Sequence, residues 1–97
     1  MLRAEFPLER RARSRTDVSL QATVKSYGAS EIQCRVANVS PMGALIVFDR
    51  PTSVATSIVL TIPDRWFVAE CEVRHQSDNH AGVMFVSNRR EALARFG

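Results

Sequence analysis

The feature that most constrains the fold is a repeated alternation of apolar and polar residues. Every second residue from Val18 to Val24 is apolar, with polar neighbours, which is the pattern of a β-strand with one buried face. Turn-forming residues follow at 26–30. Five more short apolar segments, separated by residues typical of turns, lie at 32–36, 44–48, 58–62, 67–73 and 81–86. Six short strands at near-regular spacing predict an all-β fold, a six-stranded antiparallel barrel.

The last residues change to helical spacing. Asn88 is placed to cap a short C-terminal helix, and Glu91 stands at the third helical position, where it can complete a capping box. Leu93 and Phe96 fall on one face, so we expect the helix to dock on the sheet, because so short a helix is marginal alone. We expect Trp66, at the start of the fifth strand, to be partly buried.

Length and composition fit one small domain. The 97 residues are 45% hydrophobic, enough for one packed core. No stretch approaches the roughly 20 apolar residues of a membrane span, and the first residues contain no apolar leader segment. Cys34 and Cys71 follow no zinc or redox spacing, so we expect small buried side chains in a reducing cytoplasm. His75 and His80 match no metal site with Cys71 and are expected at the surface. We predict no metal and no cofactor.

The positive charge is concentrated at the N-terminus. Residues 1–15 carry five arginines and two glutamates, so their net charge of +3 equals that of the whole chain. We therefore divide the chain into a flexible basic arm, residues 1–17, and a neutral barrel with its C-terminal helix, residues 18–97. Arginine dominates the basic residues, and its planar fork suits phosphates and guanine edges.

Two local motifs stand out in the sequence. The first is an R-x-x-x-R formed by Arg11 and Arg15 and preceded by Arg10. The second is an N-x-S-x-x-G running from Asn38 to Gly43, between two predicted strands. Alone, the first is typical of a solvated basic surface, and the second of a tight turn. Together, in this order and in a chain of this length, they are much more specific.

With these motifs the sequence resembles the PilZ domain family, whose signature joins R-x-x-x-R to [D/N]-x-S-x-x-G. The resemblance extends over residues 9–86, because Val73-Arg74-His75 and Ala81-Gly82-Val83-Met84-Phe85 are similar to the family's final strand pair. It implies a six-stranded barrel, commonly with a C-terminal helix. It also implies binding of the bacterial second messenger cyclic di-GMP by the matching residues Arg11, Arg15, Asn38, Ser40 and Gly43. In the family an arginine before the motif, here Arg10, accompanies a pair of intercalated ligands.

Elementary chemistry agrees with these residue types. Cyclic di-GMP carries two phosphodiester anions and two guanines, and an arginine fork bonds either group in a bidentate manner. The Asn38 amide offers donors and an acceptor to a guanine edge, although it has one oxygen where a carboxylate has two, and Ser40 adds a hydroxyl. Pro41 stiffens the loop. We expect Gly43 to permit a positive φ and a close backbone approach.

The predicted function is that of a single-domain receptor that changes conformation on binding cyclic di-GMP and signals to a protein partner, in control of motility, biofilm or exopolysaccharide. No nucleophile–base pair or carboxylate dyad indicates an enzyme. One alternative is a small nucleic-acid-binding barrel, although the neutral barrel and its few aromatic residues argue against it. Another is a PilZ adaptor that acts without ligand. We expect a monomer or a weak dimer.

Overall fold

The computed structural model describes residues 16–97, so the predicted arm lies almost entirely outside the described residues. Within this range six β-strands are followed by one α-helix. A single 3₁₀ turn, Pro63–Arg65, joins the fourth strand to the fifth. The strands and the helix are β1 (Thr16–Lys25), β2 (Ile32–Val39), β3 (Gly43–Val47), β4 (Ser57–Ile62), β5 (Phe67–Ser77), β6 (His80–Phe85) and α1 (Arg89–Phe96).

The strands close into a barrel in the order β1-β2-β3-β6-β5-β4, and each neighbouring pair is antiparallel. Closure is made by β1, in which Val24 pairs with Ile32 of β2 on one side and with Leu60 of β4 on the other. The prediction of a six-stranded antiparallel barrel with a short C-terminal helix is confirmed. Three strands are longer than predicted, since β1 begins at Thr16, β2 continues to Val39 and β5 continues to Ser77.

The core lies inside the barrel and is made by the apolar residues that alternate along each strand. In β4, for example, Ile58, Leu60 and Ile62 are buried while the residues between them are not. Both cysteines are free. Burial raises the pKa of the thiols of Cys34 and Cys71 to about 12, because a thiolate would lose its hydration there.

An aromatic cluster closes one end of the barrel. The rings of Phe67 and Phe85 are 5.1 Å apart in an edge-to-face arrangement, and Phe96 of α1 packs 5.1 Å from Phe67. Ala92, one turn before Phe96, is also buried. The helix therefore docks on the barrel through residues spaced four apart.

Three local predictions are wrong. Leu93 is 62% exposed, because the docked face of α1 runs through Ala92 and Phe96. Asn88 makes no capping bond with its side chain; it has a left-handed backbone, and its Nδ2 donates to the Val68 carbonyl at 2.5 Å. Trp66 is 87% exposed, because it ends the 3₁₀ turn with a φ of 53° and its side chain is directed away from the core.

No helix within residues 16–97 has the length and apolar character needed to cross a membrane.

Candidate functional site

The loop between β2 and β3 is organised by Ser40. Its side chain is buried, and its Oγ accepts hydrogen bonds from the backbone N–H groups of Met42 (3.1 Å) and Gly43 (3.3 Å). The backbone N–H of Ser40 in turn donates to the Gly43 carbonyl at 2.9 Å. A hydroxyl has two lone pairs and one hydrogen. Both lone pairs of Ser40 are used within the loop, so towards a ligand Ser40 can act only as a donor.

Gly43 is required by a close contact between backbones. A Cβ atom at this position would collide with the carbonyl oxygen of Val83 on β6, so only glycine fits. The expected close approach is therefore present. The expected positive φ is wrong, since Gly28 alone among the described glycines has one. A further bond, from the Phe85 N–H to the Met42 carbonyl at 2.8 Å, ties the loop to the end of β6.

Asn38 is brought to the outer face of the barrel by a β-bulge. Strict alternation from the buried Val36 would place Asn38 inside, but the β2–β3 register shifts between these two residues. Val39 takes the inward position instead and is buried. Bulges re-aim side chains in this way and are frequent next to functional sites.

A second bulge does the same for His75. Alternation from Val73 in β5 would place His75 inside, but the β5–β6 register shifts between them, at Arg74. His75 consequently pairs with Gly82 and is exposed on the outer face. A Cβ atom on Gly82 would collide with His75 Nε2 and would lie 2.7 Å from its Cδ2. The imidazole thus lies across the glycine, in space that any larger residue would fill.

Strand pairing joins these positions into one row across five strands. Each member is the direct cross-strand partner of the next, and the spacing between neighbouring strands is about 4.8 Å. We call this set the cross-strand row; in order around the barrel it consists of Asp17, Asn38, Leu45, Gly82 and His75.

An open cavity of about 540 Å³ lies over this part of the surface. It is lined by the three predicted site residues that the structure describes, Asn38, Ser40 and Gly43. The volume is in the range of small-molecule sites. The strand pairing therefore gathers the N-x-S-x-x-G motif at the edge of a concave surface.

Among the lining residues that the sequence analysis did not assign to the site, three have ionisable side chains, namely Arg74, His75 and His80. The guanidinium of Arg74 is exposed and lies 3.5 Å from the Glu72 carboxylate. The sequence signal for them was their position in the predicted final strand pair, but their orientation depends on the bulge at Arg74.

The arginines of the R-x-x-x-R motif, Arg11 and Arg15, lie outside the described residues, as does Arg10. The described chain begins at Thr16, which pairs with Val39, the neighbour of Asn38. Among residues 16–97, no three His, Cys, Asp or Glu side chains are grouped so that they could hold a metal ion.

Comparison of the sequence with known protein families identifies a match to one family model. The sequence model of the PilZ domain matches residues 9–96. The crystal structure of an uncharacterized protein of Legionella is similar, with a TM-score of 0.55 and 18% identity, over 84% of this chain and 85% of that chain. At this identity the likeness concerns the fold alone. No curated protein matches the chain.

Proposed function

The chain belongs to the PilZ domain family, and from this membership we propose that it is a receptor for cyclic di-GMP. Its role is to bind the messenger and to pass the signal to a protein partner in the bacterial cytoplasm, not to catalyse a reaction. The ligand site consists of Asn38, Ser40 and Gly43 on the barrel together with Arg10, Arg11 and Arg15 from the arm.

The observation that carries this proposal is the position of Thr16, the first described residue, beside the loop of the second motif. Arg15 is bonded to Thr16, which pairs with Val39 beside the cavity. Covalent geometry limits the separation of the Arg15 and Thr16 Cα atoms to about 3.8 Å, and that of Arg11 and Thr16 to roughly 17 Å. Both arginines can therefore reach a ligand that lies against Asn38.

The chemistry of the cavity suits one end of the ligand. Asn38 offers an amide to a guanine edge. The hydrogen bond from the Gly43 N–H to Ser40 fixes the loop, so that a ligand in the cavity can approach the backbone at Gly43 closely. The arginines supply forks for phosphate or for guanine O6 and N7, each good bidentate base contact discriminating by about 1–3 kcal/mol. Arg10 provides a further guanidinium that can stack on a second guanine, so two ligands per chain are expected.

The proposed signal is a change in the contacts of the arm between the ligand-free and the ligand-bound states. Ligand on the barrel offers its phosphates and guanines to the arm arginines, so ligand selects one arrangement of arm and barrel. A partner that recognises this composite surface then senses the messenger.

The test is a calorimetric titration of Arg15→Ala with cyclic di-GMP. We expect loss of measurable binding with an unchanged far-UV spectrum. Arg50→Ala is the matched control, because Arg50 is exposed and follows β3 at the opposite end of the barrel. Affinity in Arg15→Ala equal to that of the wild type would reject the site.

A further inference from the structure

We propose that His75 and His80 are ligand-site residues whose protonation is coupled to binding, so that the chain takes up protons when it binds cyclic di-GMP. This inference rests on the proposed function and concerns the regulation of the same site. It predicts that affinity rises as the pH falls through the range in which histidine ordinarily gains its charge, between about pH 5 and 8.

The two histidines share a cavity with the family motif. His75 and His80 come from β5 and β6 and line the same cavity as Asn38. His80 is half-buried and pairs with Val47 on one side and Ser77 on the other. The ligand motif and the imidazoles therefore lie around one concave surface.

The imidazole of His75 occupies space that is free because its cross-strand partner, Gly82, has no side chain. The imidazole lies across Gly82, where a Cβ atom would collide with its Nε2. An aromatic ring packed over a cross-strand glycine is a recognised way to cover that glycine. The ring thus has a defined place on the outer face of the barrel, between the cavity and the exposed end of β5.

Charge complementarity gives the sign of the coupling. The phosphodiesters of cyclic di-GMP stay ionised across this pH range, whereas an imidazole is neutral above it and cationic below it. A cationic imidazole near two anions favours the bound state, so binding must draw protons onto the histidines and must weaken as the pH rises.

The other charged groups around the cavity are guanidinium and carboxylate groups. Arg74 precedes His75 on β5, and its guanidinium lies 3.5 Å from the Glu72 carboxylate. Asp17 lies at the far end of the cross-strand row, and Asp78 is in the turn before His80. Arg35 pairs with Val47, the neighbour of His80. Among these side chains of residues 16–97, only the two histidines belong to a type whose charge ordinarily changes in this range, so we assign the pH dependence to them.

The size of the effect follows from Coulomb's law. In a solvent-filled cavity each pair of charges interacts weakly, and salt screens the interaction further. Two imidazoles acting on two phosphodiesters should together tighten binding about three- to tenfold between pH 8 and pH 6. One imidazole should account for roughly half of this change on a logarithmic scale.

The experiment is isothermal titration of the full chain with cyclic di-GMP at pH 6.0, 7.0 and 8.0, in buffers of different ionisation enthalpy. The buffer dependence of the heat gives the number of protons taken up. The variant His75→Gln/His80→Gln is decisive, because the chain has only two histidines and the double variant has none. Each single variant divides the effect between them, and far-UV spectra at each pH verify folding.

We expect proton uptake by the wild type, and in the double variant a pH-independent affinity close to that of the wild type at pH 8. Wild-type binding with the same affinity at all three pH values and no proton uptake would overturn this inference and leave the receptor function standing. Undiminished pH dependence in the double variant would overturn it as well. Absence of wild-type binding at every pH would instead reject the proposed function, and the inference with it.

Discussion

The substitution Ser40→Ala tests whether Ser40 stabilises the loop between β2 and β3 or only contacts the ligand. The Ser40 hydroxyl accepts two backbone N–H groups, those of Met42 and Gly43, and the serine is only 6% exposed. Ser40→Ala removes the acceptor and leaves both donors in place. The loop should therefore lose stability even when no ligand is present.

The cost can be worked from the surroundings of each donor. The N–H of Gly43 is buried, and leaving it unsatisfied costs about 1–2 kcal/mol. The N–H of Met42 is only partly buried, so water replaces part of its bond, and its loss costs about 0.5 kcal/mol. The free energy of unfolding should fall by about 2 kcal/mol. For a domain of this size that lowers Tm by roughly 8–16 °C.

The assay is thermal unfolding of the ligand-free protein followed by circular dichroism. Ser30→Ala is the matched control, because Ser30 is exposed in the turn between β1 and β2 and should change stability by less than about 0.5 kcal/mol. A ligand-free Tm of Ser40→Ala equal to that of the control would refute the account of the loop.

Three further predictions concern the barrel itself. Gly43→Ala places a Cβ against the β6 backbone and should cost about 2–3 kcal/mol in denaturant unfolding, so a loss below about 0.5 kcal/mol would contradict the close contact. Phe96→Ala should cost about 3 kcal/mol by opening the aromatic cluster, whereas the exposed Leu93→Ala should cost little, and equal losses would show that the docked helix face is misassigned. Burial raises the pKa of both thiols to about 12, against 9.0 when exposed, so Cys34 and Cys71 stabilise the fold below about pH 9 and this contribution declines towards pH 12. Both should accordingly react slowly with a thiol reagent at pH 8 until denaturant is added, and fast labelling of the native chain would contradict the raised pKa of the half-buried Cys34 or the buried Cys71.

Most strands could be predicted because they have one apolar face, and β3 because it is a short continuous apolar segment. In β4 the apolar positions 58, 60 and 62 are the ones that the barrel buries. The ends of β1 and β5 could not be predicted, because residues such as Thr16 and Ser77 join the ladder through backbone hydrogen bonds and carry no apolar signal.

The candidate site was predictable only where it is local in sequence. The Asn38–Gly43 segment is one loop, so its motif could be read directly. His75 and His80 reach the same cavity because β6 pairs with β3, a pairing of strands that are not consecutive. Alternation assigns His75 to the interior, and the bulge at Arg74 reverses this. Bulges depend on tertiary pairing and not on local propensity.

The errors at the C-terminus have a similar origin. Asn88 resembles a helix cap in sequence, but its amide hydrogen-bonds the Val68 carbonyl across the barrel end, a tertiary contact that replaces the local one. Leu93 and Phe96 lie on one side of α1, yet the short helix docks through Ala92 and Phe96, because the cluster around Phe67 accepts an aromatic ring.

The most direct test of the account is calorimetric titration of the purified chain with cyclic di-GMP, with GMP and cyclic di-AMP as controls. We expect selective binding of cyclic di-GMP, with two ligands per chain if the guanidinium of Arg10 stacks as proposed. Saturation at one ligand would remove that role from Arg10. A folded chain that binds none of the three nucleotides would contradict the receptor function and favour a PilZ adaptor that acts without ligand.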